Sequence, residues 1–176
     1  MIIIDGKKIA RRIIEKLKKM PKPATAIAAV LVGENPASES FLKQKKKVAD
    51  ELGIDFRIIR LDDTVSEGQL AGEIKHLGAD KEIGGVLIQL PLPKKYNREA
   101  ILAALNPAQD IDALSLEAAV ASLAVEVVKD VFADISYQVA DKVVGVVGRG
   151  ILIGAPIAEW LFDKCREVII FHTGTD

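Results

Sequence analysis

Along the chain, continuous apolar runs alternate with stretches in which apolar residues recur every three or four positions. The two periods separate strands from helices. Ile9, Ile13, Ile14, Leu17 and Met20 share one helix face over residues 8–20, and Pro21 and Pro23 stop that helix. Ala26–Val32 is apolar throughout and bounded by proline and glycine, the pattern of a strand covered on both faces of a parallel sheet. Residues 33–38 make a loop with a helix cap, residues 39–52 a helix, and Gly53 its C-terminal stop. Phe56–Leu61 is a second strand. Ser66 opens a helix with Leu70, Ile74 and Leu77 inward, and residues 85–90 form a third buried strand closed by Pro91-Leu92-Pro93. Residues 97–105 read as a short helix. Residues 2–4, before the turn dipeptide Asp5-Gly6, read as a further short strand.

This β-α-β-α-β succession argues an α/β fold with a parallel sheet and right-handed crossovers. Residues 114–132 are rich in Ala, Val and Leu and predict one or two helices. A strand at Val143–Val147, a helix over residues 153–164 and a strand over residues 168–171 then begin a second β-α-β unit. The expected division is a first domain over 1–113, a helical connector over 114–140 and a partial second domain over 141–176.

Composition narrows the class. Hydrophobic residues make up 49% and charged residues 28% of 176, the balance of a globular protein with a core rather than a disordered chain. Lys plus Arg number 24 against 25 Asp plus Glu, a formal charge of −1, so the basic excess of a dedicated nucleic-acid binder is missing. A lone Cys165 cannot close an internal disulfide, and one cysteine with two histidines is too few ligands to argue for a structural zinc site. No stretch approaches the roughly 18–20 apolar residues of a membrane span, and the first residues lack the features of a signal peptide. The expectation is a cytoplasmic enzyme or binding protein, without metal, membrane or nucleic acid.

Four features carry candidate chemistry. Phe41, Lys45, Val48 and Leu52 fall on one helical stripe, so Lys45 stands among apolar residues. Either its stem covers apolar surface while its ammonium reaches water, or it is a partly desolvated lysine poised for proton transfer. Gln89-Leu90-Pro91 closes a buried strand at its carboxyl end, where parallel sheets bind ligands; Gln89 is either an amide for a ligand or a solvated terminator. Asp110-Ile111-Asp112 follows a helix and a turn, and its second carboxylate can project into the same crevice. Finally, Val147-Gly148-Arg149-Gly150-Ile151-Leu152-Ile153-Gly154 joins a strand to a helix as Gly-x-Gly-x-x-x-Gly. Such glycines let backbone N–H groups approach a phosphate at a helix N-terminus, and Arg149 suits an extra phosphate on a ribose.

In combination these segments resemble the bifunctional methylenetetrahydrofolate dehydrogenase / methenyltetrahydrofolate cyclohydrolase family. The matching pieces are residues 30–38, the turn from Phe41 to Lys45, residues 85–93, Asp110-Ile111-Asp112, residues 147–156 and His172-Thr173-Gly174-Thr175, in the family's order. The resemblance implies a three-layer parallel-sheet folate domain followed by an incomplete Rossmann-like nucleotide domain. It implies that Lys45 is the catalytic lysine, that Gln89 positions it, and that Asp112 holds the pterin ring, with Phe41, Leu90 and Pro91 also on the substrate. Gly148, Arg149, Gly150 and Gly154 would hold NADP, with Thr173 and Thr175 toward its adenosine side. A homodimer acting on tetrahydrofolate derivatives is implied as well.

Three departures from the family pattern stand out. Phe41 replaces a tyrosine, so the ring is kept and the hydroxyl lost. The family's Pro-Cys-Thr-Pro segment has no counterpart, because residues 118–128 contain no proline. The pattern also runs on past Asp176, so residues 143–176 are expected to supply one mononucleotide-binding half, a C-terminally truncated form. The leading expectation is NADP-dependent oxidation of 5,10-methylenetetrahydrofolate to 5,10-methenyltetrahydrofolate and its hydrolysis to 10-formyltetrahydrofolate. The alternatives are a non-catalytic folate- or nucleotide-binding remnant acting with another chain, and, last, an amino-acid dehydrogenase-like nucleotide domain. That last reading leaves Gln89 and Asp110–Asp112 unexplained.

Overall fold

The structure, a computed structural model, describes residues 3–115 and 117–175. The chain forms two compact units, one of residues 16–120 and one of residues 3–15 with 121–175.

The first unit is built on three parallel strands, β1 (Ala26–Val32), β2 (Phe56–Leu61) and β3 (Ile83–Ile88), in the order β2-β1-β3. β1 is central and nearly all of it is buried, which is why it reads as an unbroken apolar run. Helix α2 (Pro36–Leu52) covers one face, where Leu42 and Ala49 meet Ala29, Leu31, Phe56 and Leu87. Helices α3 (Glu67–Ala79) and α4 (Arg98–Leu102) cover the other, packing Leu70, Ile74, Ile101 and Leu102 on Ala28, Val30, Val86 and Ile88. The result is the expected three-layer α/β arrangement.

Local chemistry sets the helix ends. Asn35 caps α2 by accepting from the Ser38 amide at 3.0 Å, with Pro36 in the first turn, where a missing N–H costs nothing. Gly53 ends α2 in the left-handed region at φ 68°. Ser66 and Gln69 form a reciprocal capping box on α3. Caps of this kind stabilise a helix by about 1 kcal/mol each.

In the second unit, α1 (Gly6–Leu17), α5 (Leu123–Asp134), β4 (Val143–Val147), α6 (Gly154–Leu161) and β5 (Glu167–Phe171) follow one another, α1 continuing two residues into the first. β4 and β5 pair in parallel, and Ala158 and Leu161 of α6 pack on Val144, Val146 and Val168. Arg12 and Asp134 join α1 to α5 by an ion pair at 2.6 Å.

Three expectations need correction. Ile3 and Ile4 belong to no strand, and Ile2 lies outside the described residues. Asp5 instead opens α1: its side chain accepts from the Lys8 amide at 3.0 Å, so Asp5-Gly6 starts a helix rather than ending a strand. Of residues 114–132, read as one or two helices, only those from Leu123 on are helical among the described residues; α5 is one helix, and its N-cap Ser122 makes no side-chain hydrogen bond that would fix its start. The apolar contact of α2 is also displaced. Phe41 is 60% and Val48 39% exposed, while Leu42 and Ala49 are buried. The stripes 41/45/48/52 and 38/42/45/49/52 share Lys45 and Leu52, so spacing alone does not choose between them.

Candidate functional site

The site of the first unit lies where the strands end. α2 enters the loop after β1 and carries Lys45 on the same stripe as buried Ser38, Leu42 and Ala49. Its stem therefore runs along the sheet-facing side. Its ammonium donates to Asp112 Oδ2 at 3.1 Å, and both side chains are only partly exposed, 37% for Lys45 and 19% for Asp112. The apolar neighbours of Lys45 on this stripe are Leu42 and Ala49, rather than Phe41 and Val48.

Asp112 reaches this position because residues 109–111 run beside β3. Asp110 pairs with Val86 in a parallel bridge, the Val86 amide donates to Gln109 O at 2.7 Å, and the Gln109 side-chain amide donates to Ile83 O at 2.7 Å. A Cβ at Gly85 would stand 2.6 Å from Ile111 Cγ2, so that glycine lets the segment seat. Asp110 itself is buried, at 1% exposure. Its Oδ2 accepts from the Ser115 amide at 2.6 Å. The sequence pairs the two acids in one motif but gives Asp110 no task.

Gln89 extends the β3 pairing by one residue, its amide donating to Val30 O at 2.9 Å. Among the described residues no hydrogen bond joins it to Lys45. Its Nε2 donates to Leu90 O at 2.7 Å, and its Oε1 is buried without a partner. That acceptor at a strand's carboxyl end is ready for a donor. Leu90 is half-buried and Pro91, joined to it by a cis peptide, is exposed. Phe41 presents an uncovered ring. Lys45 and Asp112 are thus brought into contact, Gln89 has a free acceptor, and Phe41 offers an aromatic face. Such a set can orient an apolar heterocycle and move a proton.

The second unit carries the glycine-rich turn between β4 and α6. Gly148 adopts φ 99°, and its amide donates to Phe171 O at 2.7 Å. A Cβ at Gly154 would collide with Gly148 O, so the start of α6 packs directly on the strand end. Around Gly150 the space is open, and Arg149 is exposed. A close helix–strand approach with an unfilled loop fits a dinucleotide phosphate. Thr173 and Thr175 lie in an exposed turn after β5, where the Thr175 hydroxyl accepts from the His172 amide at 2.9 Å. Among the described residues no group of three or more His, Cys, Asp or Glu could hold a metal ion, and no helix is long and apolar enough to cross a membrane.

Residues 4–112 match the family model described as tetrahydrofolate dehydrogenase/cyclohydrolase, catalytic domain. The bifunctional protein FolD of Exiguobacterium sp. is 31% identical over 190 residues, which cover 99% of this chain and 68% of that protein. Among solved structures, the bifunctional FolD methylenetetrahydrofolate dehydrogenase/cyclohydrolase of Campylobacter jejuni superposes with a TM-score of 0.89 at 25% identity, over 98% of this chain and 67% of that one. The Trypanosoma brucei enzyme, solved with NADP and an inhibitor, shares the fold with a TM-score of 0.89 at 22% identity, over 99% of this chain and 65% of that one. The chain spans about two thirds of the length of the curated relatives it matches.

Proposed function

The chain belongs to the tetrahydrofolate dehydrogenase/cyclohydrolase family, and from that premise we propose that it oxidises 5,10-methylenetetrahydrofolate with NADP and hydrolyses the product to 10-formyltetrahydrofolate. The observations that carry this reading are the ion pair of Lys45 with Asp112 and the orphaned Gln89 acceptor at the carboxyl end of β3.

Phe41 stacks on the folate's aromatic portion, and Leu90 and Pro91 border the pterin. Asp112 binds the ring and holds the Lys45 ammonium, while Gln89 Oε1 accepts from the same ammonium or from the substrate. In the hydrolytic step, water adds through its oxygen to the methenyl carbon and releases one proton to solvent. The bond from that carbon to N5 then breaks as the Lys45 ammonium donates a proton to N5 and the adduct's hydroxyl proton returns to the Lys45 amine, leaving the formyl group on N10. A positioned acid–base group typically contributes about 10²–10⁴-fold to such a step.

For the oxidation, Gly148, Arg149, Gly150 and Gly154 hold the dinucleotide phosphates at the start of α6, and Thr173 and Thr175 lie toward its adenosine. When bound, the nicotinamide supplies the hydride acceptor. Arg149 pairs with the 2′-phosphate that distinguishes NADP from NAD. Residues 1–113 then serve folate and 141–176 the nucleotide, with 114–140 between them. A cytoplasmic homodimer completes the proposal.

The test follows two signals from purified protein: loss of methenyltetrahydrofolate absorbance without cofactor, and NADPH formation from methylenetetrahydrofolate. Both are expected. Folded protein that gives neither signal contradicts the proposal.

A further inference from the structure

The Lys45–Asp112 pair depends on a loop that something must hold in place. Asp112 lies between the bridge of Asp110 to Val86 and Ser115, in a segment where Ala113 takes φ 52°, a conformation that an alanine does not adopt unaided. Of the segment's other anchors, the Gln109 amide and the Ile111 side chain precede Asp112, while Leu114 after it makes an apolar contact with the core. Asp110 is different: its carboxylate reaches forward over Asp112 to the Ser115 amide at 2.6 Å and closes the loop from the far side. A carboxylate accepting from a backbone N–H is among the stronger hydrogen bonds a loop can have. It is also costly to bury, and Asp110 is 1% exposed with Oδ1 unpartnered. An apolar residue would fill that space at lower cost, so packing alone does not explain an aspartate there.

We infer that Asp110 is a positioning residue: its buried carboxylate pins Ser115 and thereby holds Asp112 against Lys45. Asp110 is buried and bonds Ser115 rather than Lys45, so it acts through Asp112. The inference rests on the Lys45–Asp112 site proposed above.

The test uses the whole chain and a readout that needs no turnover. The rate at which acetic anhydride acetylates Lys45, mapped by peptide mass, reports whether the ammonium is held. Asp112→Ala should raise that rate about fivefold, the scale of a lost ion pair. Asp110→Ala should raise it similarly, and Asp110→Ala with Asp112→Ala should be no faster than Asp112→Ala alone. Asp110→Asn keeps an acceptor for the Ser115 amide and should label at the wild-type rate. A wild-type rate in Asp110→Ala overturns the inference, as does additivity in the double variant or fast labelling of Asp110→Asn. Should Asp110→Ala fail to fold, Asp110→Asn and wild-type amide exchange decide: the Ser115 amide is expected to exchange far more slowly than that of Ala113, and equal rates overturn the assignment. Methenyl turnover by Asp112→Ala judges the site itself separately, because full activity there rejects the catalytic reading whatever the labelling shows.

Discussion

Lys45 Nζ on α2 donates to Asp112 Oδ2 at 3.1 Å, joining residues 67 positions apart. The contact joins the helix over one sheet face to the segment bridged to β3. With both side chains partly exposed, the pair stabilises the fold by only about 1 kcal/mol or less. Its geometry matters more than its energy. Asp112→Asn should therefore leave the unfolding midpoint within a few degrees of wild type while lowering methenyl hydrolysis by at least about tenfold. Parallel melting curves and turnover assays check this, and a large fall in stability with unchanged turnover would make the pair structural.

Phe41 is 60% exposed, so its ring contributes little to folding. Phe41→Ala should raise the KM for the folate substrate with little change in melting temperature. Phe41→Tyr adds a hydroxyl to this ring, and one added hydrogen bond worth about 0.5–1.5 kcal/mol corresponds to a gain of up to about tenfold in kcat/KM. A large loss of stability in either variant would place Phe41 in the core instead.

Within the glycine-rich turn between β4 and α6 the glycines differ in kind. A Cβ at Gly154 would meet Gly148 O, whereas one at Gly150 would meet nothing within 4 Å. Gly154→Ala should destabilise the second unit by about 1–3 kcal/mol, because backbone must move to admit the methyl. Gly150→Ala should melt like wild type. Comparing the two variants by thermal unfolding checks the packing; equal melting temperatures would contradict it.

Much of this arrangement is legible in the sequence, for identifiable reasons. β1 is recognisable because both its faces are covered, and α3 because Ser66 and Gln69 form a capping box. Lys45 stands out because it lies on both possible apolar stripes of α2. The choice between Phe41 and Leu42 as its neighbour depends on how the helix is rotated on the sheet, which a single helix period does not encode. Asp110 is harder still. Its burial and its bond to Ser115 arise only when residues 109–111 dock on β3, and Gly85 and Ile111 meet only across that docking.

Ala113 provides a check on that loop. At φ 52° an alanine costs about 1–2 kcal/mol; a glycine removes that strain but loses part of the gain to the greater freedom of its unfolded chain. Ala113→Gly should raise stability by a few tenths to about 1 kcal/mol in denaturant titration. A loss of stability would mean that the residue is not left-handed in solution.

Arg149 is exposed beside Gly148 and Gly150, where a guanidinium can take a 2′-phosphate in bidentate fashion. Calorimetric titration should show NADP bound more tightly than NAD, with the preference reduced in Arg149→Ala. Equal affinities in the wild type would reject the phosphate role.

The central claim is that Lys45 handles the proton of folate hydrolysis, and methenyltetrahydrofolate turnover by Lys45→Met, measured beside wild type with a melting curve on the same samples, tests it most directly. Turnover should fall by at least about 10²-fold while the melting temperature stays within a few degrees. A folded Lys45→Met protein that keeps most of the wild-type rate would contradict it.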